Sequence, residues 1–289
     1  MITKEITDFD IHQISRSGQC FRMRQFSENT YSLIAFGSYL EVEQKGTQVC
    51  FSCTEEAFDA LWRNYFDLDT DYGGIKRAID PEDIYLQAAA ELGGGIRILR
   101  QELWETIVTF IISQRNNIPR ICKCVDALCR EFGQKETNFR GEVYNQFPAP
   151  HVLAGASEES LRGCGLGYRA PYIRKTAQMA CNGEIDLDEL FSLDYETARA
   201  QLLKFSGVGE KVADCISLFA LHHIEAFPID THIQDMLKRY PDGFPFERYA
   251  GFAGILQQYA FYYELFGTEE ERYGGRKRNR VVLQSGEIG

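Results

Sequence analysis

The chain has 289 residues, of which 44% are hydrophobic, and a formal net charge of −11. It is too long and too apolar for a small peptide held together by disulfides, and it can bury a sizeable core. The negative charge excludes a general nucleic-acid binder, because such proteins neutralise phosphates with an excess of Lys and Arg. Any contact with DNA therefore has to be local.

Nine cysteines are scattered along the chain, without the paired spacing of a zinc or iron–sulfur site. No secretory segment precedes them, and no apolar run approaches the ~20 residues that span a bilayer. We therefore expect reduced thiols, no metal cluster and no membrane association. These features predict a soluble, intracellular protein of the cytoplasm or nucleoid.

The N-terminal third has the pattern of a small sheet. Apolar and polar residues alternate between Tyr31 and Cys53, and the alternation breaks at Gly37 and Gly46. This is typical of antiparallel strands joined by short turns. We predict a first domain over residues 1–92, with an antiparallel sheet and helices.

The remaining two thirds have the apolar spacing of helices. The segments are IRILRQELWETIVTFIISQ, RICKCVDALCREF, YIRKTAQMAC, YETARAQLLKF, KVADCISLFALHH and FAGILQQYAFYYELF. The sequence therefore predicts an α+β protein, with helical domains over residues 93–205 and 206–289, the latter packing with residues 93–101. No low-complexity linker separates them, so we expect one compact unit.

Basic residues that could contact DNA occur in three places. Arg115 and Arg120 lie in SQRNNIPRI, and Arg169, Arg174 and Lys175 lie in GLGYRAPYIRK. A third group, RYGGRKRNR, follows near the C-terminus, where basic runs are usually solvated chain ends.

The segment LLKFSGVGEKVADC is a candidate phosphate site. SGVG turns the chain between two helices, the second of which is predicted to begin at about Glu210. Glycine leaves the backbone N–H groups of a turn accessible to an anion, and a helix start adds unpaired N–H groups with a positive dipole end. A simple corner between two packed helices explains this segment equally well.

A lysine and an aspartate favour chemistry at this turn. Lys211 lies in the first turn of the second helix, and Asp230 in FPIDTH follows after that helix and a short return. The return brings an amine and a carboxylate towards one site. Each alone has a simpler explanation, as an exposed lysine and as a helix-capping carboxylate.

The order of helix, LLKFSGVGEKVADC, helix and FPIDTH resembles the signature of the helix-hairpin-helix DNA glycosylases, most closely the 8-oxoguanine DNA glycosylase branch. SRSGQCFRMR, IISQRNNIPRI, GLGYRAPY and GILQQYAFYY are similar to segments of that branch in the same order, almost from end to end. The resemblance implies a helix-hairpin-helix core behind the N-terminal sheet. It also implies a monomer that needs no cofactor and acts on double-stranded DNA containing 8-oxoguanine.

The resemblance implies a bifunctional glycosylase and AP lyase. Lys211 is the implied nucleophile, which releases the base and forms a Schiff base that permits β-elimination. Asp230 is implied to stabilise positive charge on the sugar. Gly207 and Gly209 are implied to bind phosphate through the backbone, with His232 as a further phosphate contact. A monovalent cation at the hairpin is also implied.

The resemblance assigns five residues to a pocket for a base that has left the duplex stack. Cys215 and Phe261 are implied to stack on its two faces, and Gln257 to pair with its Watson–Crick edge. The carbonyl of Gly18 is implied to accept from the protonated N7 that distinguishes 8-oxoguanine from guanine. Phe219 is implied to line the same pocket.

Further residues are implied to act on the duplex that the base leaves. Tyr168 resembles the wedge that props the duplex open, and Arg120 and Arg169 resemble the pair that reads the estranged cytosine. In the segment RNN, Asn116 is retained, but Arg115 stands where the family pattern has asparagine. This departure leaves the opposite-base preference open.

Three alternatives compete with this interpretation. The first is a related glycosylase for alkylated purines or oxidised pyrimidines, against which the lysine at position 211 and the missing four-cysteine cluster argue. The second is a helix-hairpin-helix module that binds DNA without catalysis, which would not need Lys211, Asp230 and the pocket residues together. The third is an acidic protein-interaction scaffold, which would leave the ordered motifs unexplained.

Overall fold

The structure, a computed structural model, describes residues 1–268 and begins with a five-stranded antiparallel sheet. The strands are β1 (Ile2–Glu5), β2 (Met23–Ser27), β3 (Thr30–Ala35), β4 (Ser38–Lys45) and β5 (Gln48–Phe51), in the spatial order β1-β5-β4-β3-β2. The predicted turns at Gly37 and Gly46 are confirmed, and both glycines have positive φ. The basic run RYGGRKRNR lies outside the described residues, as does the end of the predicted domain 206–289.

Helices form most of the rest of the described chain. They are α1 (Ile11–Arg16), α2 (Glu55–Ala57), α3 (Arg63–Tyr65), α4 (Tyr72–Arg77), α5 (Ile84–Leu92), α6 (Leu103–Ser113), α7 (Ile118–Phe132), α8 (Pro150–Gly155), α9 (Glu158–Gly163), α10 (Ala170–Cys181), α11 (Tyr195–Leu202), α12 (Glu210–Phe219), α13 (Thr231–Leu237) and α14 (Ala253–Phe266). A π-helical segment covers Phe58–Trp62, and 3-10 turns cover Gly167–Arg169 and Glu189–Ser192. The predicted α+β class is confirmed. Across residues 1–268, none of the helices has the length and apolar character that crossing a bilayer requires.

Short polar side chains fix where the helices around the site begin. Asn117 caps α7, Asp194 caps α11 and Asp230 caps α13, each through a side-chain oxygen that accepts from a backbone N–H of the first turn. Helix α12 begins after Gly209, which provides no side-chain cap. The free N–H groups at the start of α12 are therefore available to an anion.

The segment 96–101 differs from its predicted helix. Its apolar residues are buried, but the backbone becomes helical only at Leu103. The backbone N–H groups of this segment donate to side chains distant in sequence instead of forming helical hydrogen bonds. Leu99 N donates to Gln19 Oε1 at 2.8 Å, and Ile98 N donates to the Tyr72 hydroxyl at 2.7 Å. The buried Arg97 guanidinium donates to the carbonyls of Thr7, Asp8, Asp67 and Thr70.

A second, two-stranded sheet is absent from the sequence prediction. It consists of β6 (Lys135–Thr137) and β7 (Val143–Asn145), an antiparallel hairpin laid against the N-terminal sheet. Arg140 forms two hydrogen bonds with the buried Glu41 carboxylate at 2.6 and 2.7 Å, and the Tyr144 hydroxyl donates to the Gly37 carbonyl at 3.0 Å. These long-range contacts, rather than local propensity, hold the hairpin.

The hydrophobic core has two parts. One lies under the five-stranded sheet and includes Phe51, Trp62 and Leu99, while the other runs through the helices of the rest of the described chain. Helix α5 belongs to the second part, because Tyr85 packs edge-on against Tyr263 of α14 at 5.3 Å between ring centres. The predicted domain boundary at residue 92 stays a prediction.

Asp67 joins the N-terminal part to the end of α12. It is buried, and its carboxylate accepts from Arg100 at 2.9 Å and from the Tyr72 hydroxyl at 3.0 Å. His222, which follows α12, places Nε2 at 3.4 Å from the same carboxylate. Burial alone would raise the pKa of Asp67, but the hydrogen bond and charge of His222, together with Arg100, lower it to about 2.

The substitution Asp67→Asn tests this node. Because the pKa of Asp67 is lower in the folded state than in the unfolded chain, its carboxylate stabilises the fold at pH values above the unfolded pKa, and this contribution is lost as the pH falls through about 2. We expect the variant to lose about 2 kcal/mol of unfolding free energy at pH 7. Urea unfolding from pH 7 to pH 2 should show the difference between the proteins shrinking in acid. A difference independent of pH would contradict this account.

Candidate active site

One cavity collects the residues that the sequence assigned to catalysis and to a base pocket. All seven line it: Gly18, Lys211, Cys215, Phe219, Asp230, Gln257 and Phe261. They come from the loop after α1, from α12, from the loop before α13 and from α14, so the fold brings together segments far apart in sequence. Ser17, Phe110, Pro228 and Gln258 complete the wall, and the sequence interpretation had not included these four.

Lys211 is the second residue of α12, directly after the glycine turn. The side chain is half-buried, and Nζ lies 5.4 Å from the centre of the Phe110 ring. Phe110 stacks in turn on Phe219, with the ring centres 5.5 Å apart and the planes 17° from parallel. The amine is therefore held against an aromatic wall, which restricts the directions it can take.

Asp230 combines two roles that the sequence could not separate. Its Oδ1 accepts from Ile233 N at 2.9 Å, which makes Asp230 the N-cap of α13. The same residue lines the cavity with Lys211. The cap fixes the carboxylate, so that its position relative to the amine does not depend on a mobile loop.

Cys215 lies one turn after Lys211 and is buried. Burial raises the pKa of the Cys215 thiol to about 11, although the charge and hydrogen bond of Lys211 oppose the shift. The thiol is therefore neutral near pH 7. A neutral, polarizable sulfur is suited to contact with the face of an uncharged ring.

The opposite wall is formed by α14 and by the loop after α1. Phe261 lies one turn after Gln257 and packs edge-on against His232, with 5.8 Å between ring centres. Gly18 has φ +75°, and a Cβ there would lie 3.1 Å from the Phe261 ring. A side chain at position 18 would therefore crowd the ring, and the glycine permits the loop to approach it. The phosphate contact of His232 stays a prediction.

Gln257 is buried and its amide is already hydrogen-bonded. Nε2 donates to the Pro228 carbonyl at 2.9 Å, and Oε1 accepts from Gln258 Nε2 at 3.1 Å. Such bonds fix which end of the amide faces which neighbour. The predicted pairing partner is therefore held in one orientation before any base arrives.

The cavity is too small for a purine in this form of the protein. Its volume is about 40 Å³, little more than the ~30 Å³ that one water occupies in the liquid. Pockets for drug-sized ligands are roughly 300 Å³ or larger. A base can therefore enter only if wall side chains move.

The glycine turn is tied to its surroundings by two side chains. Thr176 Oγ1 donates to the Ser206 carbonyl at 2.7 Å, and Gln114 Nε2 donates to the Gly207 carbonyl at 2.7 Å. The carbonyl of Phe205 accepts from Val208 N at 3.1 Å. A monovalent cation at the hairpin stays a prediction, and it would have to share these carbonyl oxygens.

The two glycines of the turn differ in what they require. Gly207 has φ +82°, and a Cβ there would lie 2.8 Å from Cβ of Tyr172, which packs over the turn. At Gly209 a Cβ would meet nothing within 4 Å. Gly207 is therefore needed by the fold, whereas Gly209 keeps the helix start open to solvent.

The residues predicted to act on the duplex lie beside the turn. The backbone carbonyl of Gln114 accepts from the Tyr168 hydroxyl at 3.2 Å and from Arg169 Nε at 3.1 Å. Tyr168 is 49% exposed, as a wedge has to be, but Arg169 is buried. The cytosine-reading role of Arg169 stays a prediction, and it requires the guanidinium to leave these carbonyls.

Two exposed arginines lie around the start of α7: Arg115 precedes the helix and Arg120 lies in its first turn. Arg115 has φ +48°, a conformation that asparagine adopts more readily than arginine does. The Asn116 side chain donates to the Ile112 carbonyl at 3.1 Å and so holds the segment on the end of α6. The strained backbone lies at the position where the sequence departs from the family pattern.

Comparisons with known proteins agree with this geometry. Residues 1–107 match the family described as 8-oxoguanine DNA glycosylase, N-terminal domain, and residues 108–241 match the HhH-GPD superfamily base excision DNA repair protein. The structure also superimposes on that of a Clostridium acetobutylicum 8-oxoguanine glycosylase/lyase, solved with double-stranded DNA that contains cytosine opposite 8-oxoG. The two have 36% sequence identity and a TM-score of 0.83, over 94% of this chain and 93% of the other. The chain belongs to the 8-oxoguanine DNA glycosylase family.

Two curated members of the family extend the comparison. A probable N-glycosylase/DNA lyase of Methanothermobacter thermautotrophicus is 29% identical, over 89% of this chain and 93% of its own length. The N-glycosylase/DNA lyase of Saccharomyces cerevisiae is 38% identical, over 64% of this chain. The match covers 52% of the yeast protein, so this chain corresponds to about half of that relative.

Two of the missed wall residues differ in the signal they carry. Phe110 has no sequence signal, because it is one apolar residue in an apolar helix. Gln258 does carry a sequence signal. With Gln257 it places two adjacent amides on a helix whose other buried residues are mostly apolar. A buried polar residue on such a face requires a partner, and this could have identified it.

Alanine at each glycine of the turn should separate folding from DNA contact. Gly207→Ala should destabilise the fold by roughly 2 kcal/mol, because of its positive φ and the overlap with Tyr172. Gly209→Ala should leave stability nearly unchanged and weaken duplex binding, because its methyl group covers the open helix start. Thermal unfolding and fluorescence anisotropy with a labelled duplex measure the two effects. Equal destabilisation by both changes would contradict the account.

Proposed function

We propose that this protein removes 8-oxoguanine from duplex DNA and then cleaves the strand at the resulting abasic site. The observation that carries the proposal is the shared cavity: an amine, a capped carboxylate, a neutral thiol, an aromatic ring and a fixed amide line one space. Each has a distinct part in holding or releasing a flipped purine. A module that only binds DNA needs the glycine turn, but it does not need these five groups in one cavity.

The base enters between Cys215 and Phe261, which line the same cavity from two different helices. Gln257 meets its Watson–Crick edge, and the Gly18 carbonyl accepts from the N7–H that guanine lacks. One hydrogen bond separates the two bases at that atom, a difference of about 1 kcal/mol plus the penalty for an unpaired carbonyl. Widening of the small cavity by the correct base adds to the selection.

Lys211 carries the covalent step. Its unprotonated amine attacks C1′ of the deoxyribose, the C1′–N9 bond breaks, and the base leaves with the bonding electrons and takes up a proton. Ring opening and loss of the amine proton give a Schiff base. Removal of a C2′ proton then expels the 3′ phosphate, and water releases the sugar from the lysine. Asp230 stabilises the positive charge that develops on the sugar while the C1′–N9 bond breaks.

The local charge distribution reconciles DNA binding with an acidic chain. The half-buried Lys211 follows the glycine turn, and the exposed Arg115 is adjacent to Gln114, whose side chain donates to the Gly207 carbonyl. Cations at this turn attract phosphates locally, although the chain as a whole is acidic. The proposed substrate is consistent with a protein of the cytoplasm or nucleoid that acts as a monomer.

Borohydride trapping on a duplex with one 8-oxoguanine opposite cytosine tests the proposal. The intact chain should form a covalent adduct, because reduction fixes the Schiff base. Lys211→Gln should form none. Lys204→Gln is the matched control: Lys204 lies at the same turn, but it is exposed and its Nζ donates to Gln201 Oε1 at 2.6 Å. That variant should trap as well as the intact chain.

The outcomes separate the competing functions. If the intact chain forms an adduct only with a duplex containing another damaged base, the related-glycosylase alternative is correct. If it binds the duplex but neither forms an adduct with any damaged base nor releases one, the protein is a DNA-binding module. An adduct that persists in Lys211→Gln would show that a different amine is the nucleophile.

A further inference from the structure

Gln258 is a buried polar residue for which the proposed chemistry has no use. It follows Gln257 on α14, lines the same cavity and is 3% exposed. Its Oε1 has no hydrogen-bond partner among the described residues. An unpaired buried acceptor destabilises the fold, so such an atom next to a binding cavity indicates a partner that arrives from outside the chain.

The orientation of the Gln258 amide follows from its neighbours. The Pro228 carbonyl can only accept, so Gln257 has to present Nε2 to it, and the two atoms are 2.9 Å apart. Gln257 Oε1 then faces Gln258, whose Nε2 donates to it at 3.1 Å. Turning either amide over would bring two acceptors or two donors together. The pair therefore offers two carbonyl oxygens, Gln257 Oε1 with one lone pair in use and Gln258 Oε1 with none.

The Watson–Crick edge of 8-oxoguanine has a matching pair of donors. Its ring N1–H and its exocyclic 2-amino group lie side by side, and both donate. We propose that Gln258 Oε1 accepts from the 2-amino group, while Gln257 Oε1 accepts from N1–H. This inference rests on the proposed function, and it makes Gln258 the residue that selects for the amine.

The same pair explains which bases are rejected. An adenine-type base presents N1 as an acceptor, so it would face a carbonyl oxygen without a hydrogen between them. A hypoxanthine-type base keeps N1–H but has no 2-amino group, so it would leave Gln258 Oε1 unpaired. The second comparison removes a single group, but it also removes one of the three hydrogen bonds to the opposite cytosine and so makes the base easier to extrude. The effect of Gln258 is therefore measured by how a substitution at this position changes the ratio of the two rates.

The test compares 8-oxoguanine with 8-oxohypoxanthine, each opposite cytosine in the same duplex, by single-turnover base release. The intact chain should release 8-oxoguanine faster, because the buried hydrogen bond and the otherwise unpaired acceptor together outweigh the easier extrusion of 8-oxohypoxanthine. Gln258→Met keeps the length of the side chain and removes its amide. It should slow 8-oxoguanine release by about tenfold and change 8-oxohypoxanthine release by less than about twofold.

Gln87→Met is the matched control. The Gln87 amide donates to the carbonyls of Ile79 and Asp80 at 3.1 and 3.2 Å, and Gln87 does not line the catalytic cavity. This variant should lower the unfolding temperature without changing the ratio of the two rates. Gln87 is half-buried, so the control separates loss of an amide that hydrogen-bonds within the protein from loss of the contact with the base.

Two results would overturn the inference while leaving the proposed function intact. One is an equal slowing of both substrates by Gln258→Met, which would show that Gln258 only supports the cavity. The other is a Gln258→Met chain in which release of 8-oxohypoxanthine slows more than release of 8-oxoguanine, which would show that the amide does not contact the 2-amino group. If the intact chain releases neither base, the proposed function fails as well, so the two failures can be told apart.

Discussion

The conformation of Gly207 is the constraint on which the rest of the site depends. Its positive φ turns the chain between α11 and α12 and allows Tyr172 to pack directly over the backbone. Gln114 donates to its carbonyl, so the segment that carries the exposed arginines is tied to the same turn. The start of α12 is thereby fixed, and with it the direction of Lys211. The predicted phosphate site, the proposed nucleophile and the groups predicted to face the duplex thus share one support.

Polar groups around the cavity are fixed by bonds that a base does not have to break. Asp230 keeps its helix cap, and Gln257 keeps the Pro228 carbonyl. Preorganisation of this kind lowers the cost of binding, because the groups need little reordering when the base arrives. The apolar wall behaves differently, since the cavity has to widen from about 40 Å³ before a purine fits. Selection therefore combines fixed polar groups with an apolar wall that moves.

The sequence predicted those features that local patterns determine. Glycine at the strand turns and at the hairpin, together with helical spacing, was sufficient for the fold class. The ordered motifs, through the family resemblance, were sufficient for seven of the eleven residues that line the cavity. Features that depend on distant partners could not be predicted. The segment around Arg97 has the apolar spacing of a helix. It is not helical in the structure, because the Arg97 guanidinium donates to backbone carbonyls that are distant in sequence. From the sequence, Arg169 is expected to be an exposed cation. In the structure its guanidinium donates to backbone carbonyls of a separate segment. Phe110 meets Lys211 only because α6 and α12 pack together.

The most direct test of the account is a crystal structure of Lys211→Gln bound to a duplex with one 8-oxoguanine opposite cytosine. The substitution removes the nucleophile, so the intact base should stay bound. The account predicts that the base lies outside the helix stack, between Cys215 and Phe261, with its Watson–Crick edge on Gln257 and its N7 facing the Gly18 carbonyl. A base that remains stacked in the duplex, or one held at another surface while the cavity stays too small for a purine, would contradict it.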